Sequence, residues 1–217
     1  MKYSVIAILT ILSVISFAQK HSLNIQIKGL DSGEVYLADF YGDKNDILDT
    51  ARPATTGSFS FRLKKSYPAG MYRIFLDKEI FFDLIYNKED ITIQSQIEHL
   101  YDSLQVLKSK ENKIYYTYLK EGNAYQRKFD LLAPVVNYFP QSDSFYKKAR
   151  EKYVNVQKDY IRLIDSLIDN HPETWAVKVI RCRQPLFFEP GMTEGERREY
   201  IIDHFFDDTL VVSVWAP

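Results

Sequence analysis

The chain has 217 residues, and a hydrophobic content of 46% supports a packed core and excludes a disordered polymer. Its formal net charge of −1 removes any global pull towards nucleic acid or an anionic membrane. One cysteine, Cys182, excludes an internal disulfide and any dithiol redox cycle within the chain.

Residues 1–18 read as a leader rather than as part of the fold. Lys2 supplies a positive start, and Val5 to Phe17 is apolar apart from Thr10, Ser13 and Ser16. Small residues at Ser16 and Ala18 predict cleavage between Ala18 and Gln19. The run is shorter than the roughly 20 residues a bilayer span needs; an uncleaved anchor is the alternative. No cysteine follows it, which excludes a lipoprotein anchor, and no later stretch could span a bilayer. The expected location is periplasmic or secreted.

Residues 19–108 predict an antiparallel β sandwich or barrel-like domain. Leu23, Ile25 and Ile27 alternate with polar residues, as a half-buried strand does. Turn signals at Asp31-Ser-Gly33 and Gly42-Asp-Lys-Asn45 frame a second strand near Val35 to Phe40, and a third runs from Ile47 to Ala51. The organising stretch is Thr55 to Leu63 followed by Tyr67 to Phe75. It reads as two alternating strands joined at Pro68-Ala-Gly70, with Phe59, Phe61 and Leu63 on one face. Ile80 to Tyr86 carries apolar residues on both faces, which predicts a central strand. Ile91 to Ile93 and Ser103 to Lys108 complete the set. Without crossover helices between these strands, parallel pairing is not expected.

The period then changes from two to about 3.6, predicting a helical domain over 109–217 and an α+β chain overall. One helix runs from Asn112 towards Phe139 with Pro134 as an expected kink. The next spans Ser144 to Asp169, with an apolar seam at Ala149, Tyr153, Val156, Tyr160, Leu163 and Leu167. A third stops before Pro185, with Pro172 expected in its first turn. Thr193 and Glu196 form a capping box for a last helix, Glu194 to Phe206.

Candidate chemistry is sparse. Cys182 lies between Arg181 and Arg183, and two cations lower a thiol's pKa. Neighbours at i±1 point away on a helix, so a buried, inert Cys182 is the expectation and a reactive thiol the alternative. Asp203, His204, Asp207 and Asp208 are the best local metal candidate, weighed against a packed His204 at a solvated acidic helix end. Lys147, Lys148, Arg150 and Lys152 read as a solvated face. No phosphate loop, nucleophile elbow or tight histidine spacing occurs, so no catalytic residue, cofactor or metal is expected.

Several segments in order carry a resemblance. They are Ser16-Phe-Ala-Gln19, Glu34-Val-Tyr-Leu37, Gly57-Ser-Phe-Ser-Phe61 and Gly70-Met-Tyr72, then Asp102-Ser-Leu104 to Ser109-Lys-Glu-Asn112, and His204-Phe-Phe-Asp207. Together they resemble the N-terminal β domain and following helical region of exported thiol-disulfide oxidoreductases of the TlpA/ResA-like kind found in Bacteroidetes. In that family the helical region leads into a thioredoxin-like domain with a Trp-Cys-x-x-Cys site. No such site occurs before Pro217, so the redox function is not carried to any residue, and the apolar ending from Leu210 to Trp215 favours truncation. The resemblance implies an exported, non-catalytic accessory module that mediates protein interaction, with another envelope protein or a missing thioredoxin-like domain as partner. A small-ligand or glycan binder using an aromatic β face is the alternative.

Overall fold

A computed structural model describes residues 21–40 and 44–204. The expected leader with its cleavage between Ala18 and Gln19, and the tail with Asp207 and Asp208, lie outside the described residues.

The fold is α+β: strands in two sheets, then four helices. Strands β1 (His21–Lys28), β4 (Ser58–Leu63), β7 (Ile91–Gln96) and β8 (Gln105–Lys108) form one sheet in the order β4-β1-β7-β8. Strands β2 (Val35–Asp39), β3 (Ile47–Ala51), β5 (Gly70–Phe75) and β6 (Phe81–Tyr86) form the second in the order β3-β2-β5-β6. Alternation sends one face of every long strand inward. Leu23, Ile25, Ile27, Phe59, Phe61 and Leu63 of the first sheet meet Leu37, Tyr72, Ile74, Phe82, Leu84 and Tyr86 of the second. Each such side chain contributes about 1.5–3 kcal/mol on burial. Gly57 makes the entry to β4 possible. It has φ +71°, and a Cβ there would lie 2.3 Å from the Ile27 carbonyl oxygen.

Three expectations about pairing are corrected. The strands flanking Pro68 are not a hairpin: β4 pairs with β1 while β5 pairs with β2 and β6, so the connection crosses from sheet to sheet. Both strands do point their aromatic face inward, which is all that alternation can specify. β1 and β7 pair in parallel, Leu23 opposite Ile91 and Ile27 opposite Ser95, although no helix lies between them. The whole second sheet serves as the crossover. Finally, β6 is an edge strand. Its second buried face comes from helices, since Ile85 belongs to the helical core.

Helix α1 (Lys110–Tyr138) starts two residues after β8 and continues through Pro134. A connection over 139–143 leads into α2 (Ser144–Asn170), which is capped by the Asp143 carboxylate. Contacts between Tyr125 and Tyr160, Phe129 and Tyr153, and Phe139 and Phe145 show that the pair is antiparallel. The seam on α2 starts as expected at Ala149, Val156 and Tyr160 but then moves to Ile164 and Ile168. A straight helix turns once every 3.6 residues, so a strict seven-residue count drifts off the buried side. Helix α3 (Trp175–Cys182) is capped by Thr174, so Pro172 lies before its first turn rather than within it. Helix α4 (Glu194–His204) opens on the expected capping box, Thr193 N–H to Glu196 at 2.7 Å and Glu196 N–H to the Thr193 hydroxyl at 3.3 Å.

The segment Ser109-Lys-Glu-Asn112 joins the two halves. Ser109 caps α1 by accepting from Asn112 N–H, and its φ of 136° is rare for a residue with a side chain. Glu89 accepts from the Ser109 hydroxyl and from the Lys110 and Glu111 backbone, placing a carboxylate at the positive end of α1. Buried Glu111 accepts from Asn87 at 2.7 Å and from Ala176 N–H at 2.8 Å, so it ties β6 to the start of α3. Buried Asn112 accepts from Ile85 N–H at 2.8 Å and donates to Ile85 C=O at 2.7 Å.

Candidate binding cleft at the junction

The outer face of the second sheet is built from cross-strand rows. One is Thr50, Tyr36, Phe75 and Phe81; the next is Ile47, Ala38, Arg73 and Asp83; a third pairs Met71 with Ile85. The helices cover the third row, and the first two remain outside that contact. Arg73 lies among the rings, its guanidinium 3.9 Å from the Phe81 centroid and 4.8 Å from that of Phe40. It also makes a two-pronged pair with Asp83 at 2.7 and 3.1 Å. That hydrogen bond, the largest influence, holds the guanidinium's pKa above its ordinary value. A broad groove of about 610 Å³ runs over Tyr36, Ile47 and Phe75.

Where this face meets α1 there is a more enclosed cleft of about 370 Å³. β6 supplies Phe81 and Asp83, and the turn after the short 3₁₀ segment Ile97–His99 supplies Tyr101 and Asp102. From α1 come Tyr116, Lys120, Asn123 and Arg127, whose spacings of four, three and four put them on one helix side. Arg183 enters from the end of α3.

The aromatic hydroxyls in the cleft are engaged. Tyr101 donates to the Phe81 carbonyl at 2.6 Å and Tyr116 to the Asp83 carbonyl at 2.6 Å. Arg183 donates to the Tyr115 hydroxyl at 2.9 Å, while Tyr118 fixes the Arg183 backbone carbonyl at 2.8 Å. Burial raises the pKa of Tyr115, raises that of Tyr116 far above the phenol range, and does the same for Tyr118. These phenols stay neutral near pH 7, so they position groups and do not act as bases. Charge in the cleft is uneven. Asp83 is neutralised by Arg73, leaving Asp102 against Lys120, Arg127 and Arg183. Among the described residues none of those three cations makes an ion pair with a carboxylate.

The residues singled out by sequence lie elsewhere. Cys182 is exposed, not buried. Helix α3 buries Ala176, Val177 and Ile180, and Cys182 follows Ile180 by two positions, which carries it round to the open side. It does not line the cleft. His204 stacks on Tyr200 at 4.0 Å and its Nδ1 lies 2.9 Å from the Tyr200 carbonyl. Among the described residues no group of three His, Cys, Asp or Glu could hold a metal ion. No helix among them is long and apolar enough to cross a membrane. The basic positions Lys147, Lys148, Arg150 and Lys152 are exposed, as a solvated face requires.

The cleft residues were not singled out in advance. The signal available was the polar spacing Lys120, Asn123, Arg127 on α1, but nothing in a sequence says that this side faces a sheet edge. Tyr101 and Arg183 are separated from it by long stretches of chain.

Residues 21–120 match a family described as Domain of unknown function (DUF4369). The match starts with β1, covers both sheets and runs into α1. It takes in Phe81, Tyr101, Tyr116 and Lys120 of the cleft and leaves out Asn123, Arg127 and Arg183. No curated protein and no solved structure matches the chain.

Proposed function

We propose that this chain is an exported, non-catalytic recognition module whose ligand sits in the junction cleft. The observation that carries the reading is a concave, aromatic-walled site at the seam of two cores, with its tyrosine hydroxyls and Arg183 held in place and, among the described residues, its surplus cations outside any ion pair. Export rests on the leader-like run ending at Ala18. The neutral tyrosines support holding over chemistry, because none is poised to take a proton. A thermal-shift screen of sugars, organic acids and peptides against the wild type and Tyr101→Ala tests it. Stabilisation of the wild type that disappears in the variant supports the cleft; hits that persist unchanged place the ligand elsewhere and overturn the reading.

A second reading, docking to another envelope protein, has its own observation. The far end of the α1–α2 hairpin exposes Leu131, Tyr138, Phe139 and Phe145, with Tyr138 86% exposed. The β6 edge is a poorer protein site. Its outward carbonyls at Phe81, Asp83 and Ile85 already accept from Tyr101, Tyr116 and Asn112, so an added strand finds no free acceptor there.

A further inference from the structure

We propose that the junction cleft recognises an acidic sugar, a pyranose ring bearing a carboxylate. This rests on the reading of the cleft as the binding site. Three features point to that ligand together. The first is Tyr101, 60% exposed yet tethered through its hydroxyl to the Phe81 carbonyl. An exposed ring that is already fixed loses little freedom on binding and offers a flat apolar surface to the C–H face of a sugar. The second is charge. Lys120, Arg127 and Arg183 face the cleft with only Asp102 to offset them, so a neutral ligand would leave the site's field unused and an anion matches it. Arg183 is the best placed for a carboxylate, because Tyr115 holds its Nη1, Tyr118 its backbone and the Met71 sulfur, weakly at 3.9 Å, its Nη2, so the guanidinium is already oriented. The third is the mixed polar wall. Asn123 and Asp102 supply a donor amide and an acceptor carboxylate suited to hydroxyl groups. An extended peptide is disfavoured, since the outward carbonyls of Phe81, Asp83 and Ile85 and the Ile85 N–H, which it would pair with on β6, are occupied. The volume of about 370 Å³ lies at the lower end of small-molecule sites.

The test is calorimetric titration of the full chain with glucuronate and galacturonate trimers, and with the neutral glucose and galactose trimers. The variants are Tyr101→Ala, Arg127→Ala and Arg183→Gln, with Lys147→Ala on the outer side of α2 as control. Far-ultraviolet circular dichroism and melting curves establish that each variant is folded. The expected result is uronate binding that is at least about tenfold tighter than that of the neutral trimers. It should weaken by roughly tenfold in either arginine variant, be lost in Tyr101→Ala and stay unchanged in Lys147→Ala. Neutral trimers that bind equally well and still require Tyr101 would overturn the acidic-sugar assignment and leave the cleft reading standing. Uronate binding insensitive to Tyr101→Ala and to both arginine variants would overturn both, as general surface attraction. Failure of every trimer to bind while an acidic peptide binds in an Arg127-dependent way would overturn the sugar and keep the cleft.

Discussion

Asn112 stands where the peptide group of a neighbouring strand would stand. Its carboxamide offers one acceptor and one donor to Ile85, and both are used. Replacing it with Ala leaves a buried N–H and a buried C=O without partners, for an expected loss of roughly 2–4 kcal/mol in denaturant unfolding. Asn112→Asp should be no milder, because a carboxylate oxygen would face the Ile85 carbonyl. Asp90 acts nearby, between the end of β8 and the start of β1. It accepts from Lys108 at 2.8 Å and from Ser22 N–H at 2.9 Å, and the Lys108 bond first, then the Ser22 backbone, hold its pKa below the ordinary carboxylate value. A depressed folded-state pKa means that the contribution is present above the unfolded-state value near 4 and is lost as the pH falls through the folded-state value. Asp90→Asn should therefore lower the melting temperature near neutrality and leave it almost unchanged at the acid end of that window, as a pH series of melting curves would show. The same stability difference at both ends would refute a titrating role for Asp90.

At the scale of elements, a half-buried and a buried carboxylate do the joining. Glu89 closes the start of α1, and Glu111, in that helix's first turn, closes the start of α3 while holding Asn87 beside β6. Glu111→Ala removes a helix cap and strands the Ala176 N–H in a buried place. The expected cost is about 2 kcal/mol, with faster hydrogen exchange in α3 than in the sandwich. Loss spread evenly over the chain would mean that the cap does not act locally. Much of this level was legible in the residues. Period-two alternation placed the β strands because one face of each meets a common core, and Thr193 with Glu196 marked the start of α4 because the cap is a local interaction. Partners were not legible. Whether Phe59 and Tyr72 sit in one sheet or in two facing ones leaves the same inward pattern, and only long-range pairing distinguishes them. The double-sided burial of Phe81 to Tyr86 misled for a related reason: burial records that something covers a face, not whether it is a strand or a helix.

For the molecule as a whole, the family match ends at Lys120, inside α1, but the packing does not end there. Ile85, Ile114, Tyr115 and Tyr118 form one cluster with Tyr160, Ile164, Ala176, Val177 and Ile180. A fragment of residues 21–120 would expose the first four and remove the α3 backbone that satisfies Glu111. It should bind a hydrophobic dye and unfold at lower denaturant than the full chain, with β6 exchanging faster than β1. An equally stable, dye-silent fragment would show the sandwich to be self-sufficient. The cleft too is a product of this scale. Its walls come from β6, a turn, α1 and the end of α3, so no single stretch of sequence could announce it.

The parallel ladder between β1 and β7 sets an order of events during synthesis. β1 leaves the ribosome first, yet one of its neighbours is not made until Ser58 and the other not until Ile91. β1, one of the two inner strands of that sheet, therefore keeps an open edge until the ribosome has worked through the second sheet. Closing so long a loop is slow: a nascent chain stalled before Ser58 would present Leu23, Ile25 and Ile27 as a naked ribbon for whatever chaperone first meets it, and one stalled before Ile91 would still leave one edge of β1 open.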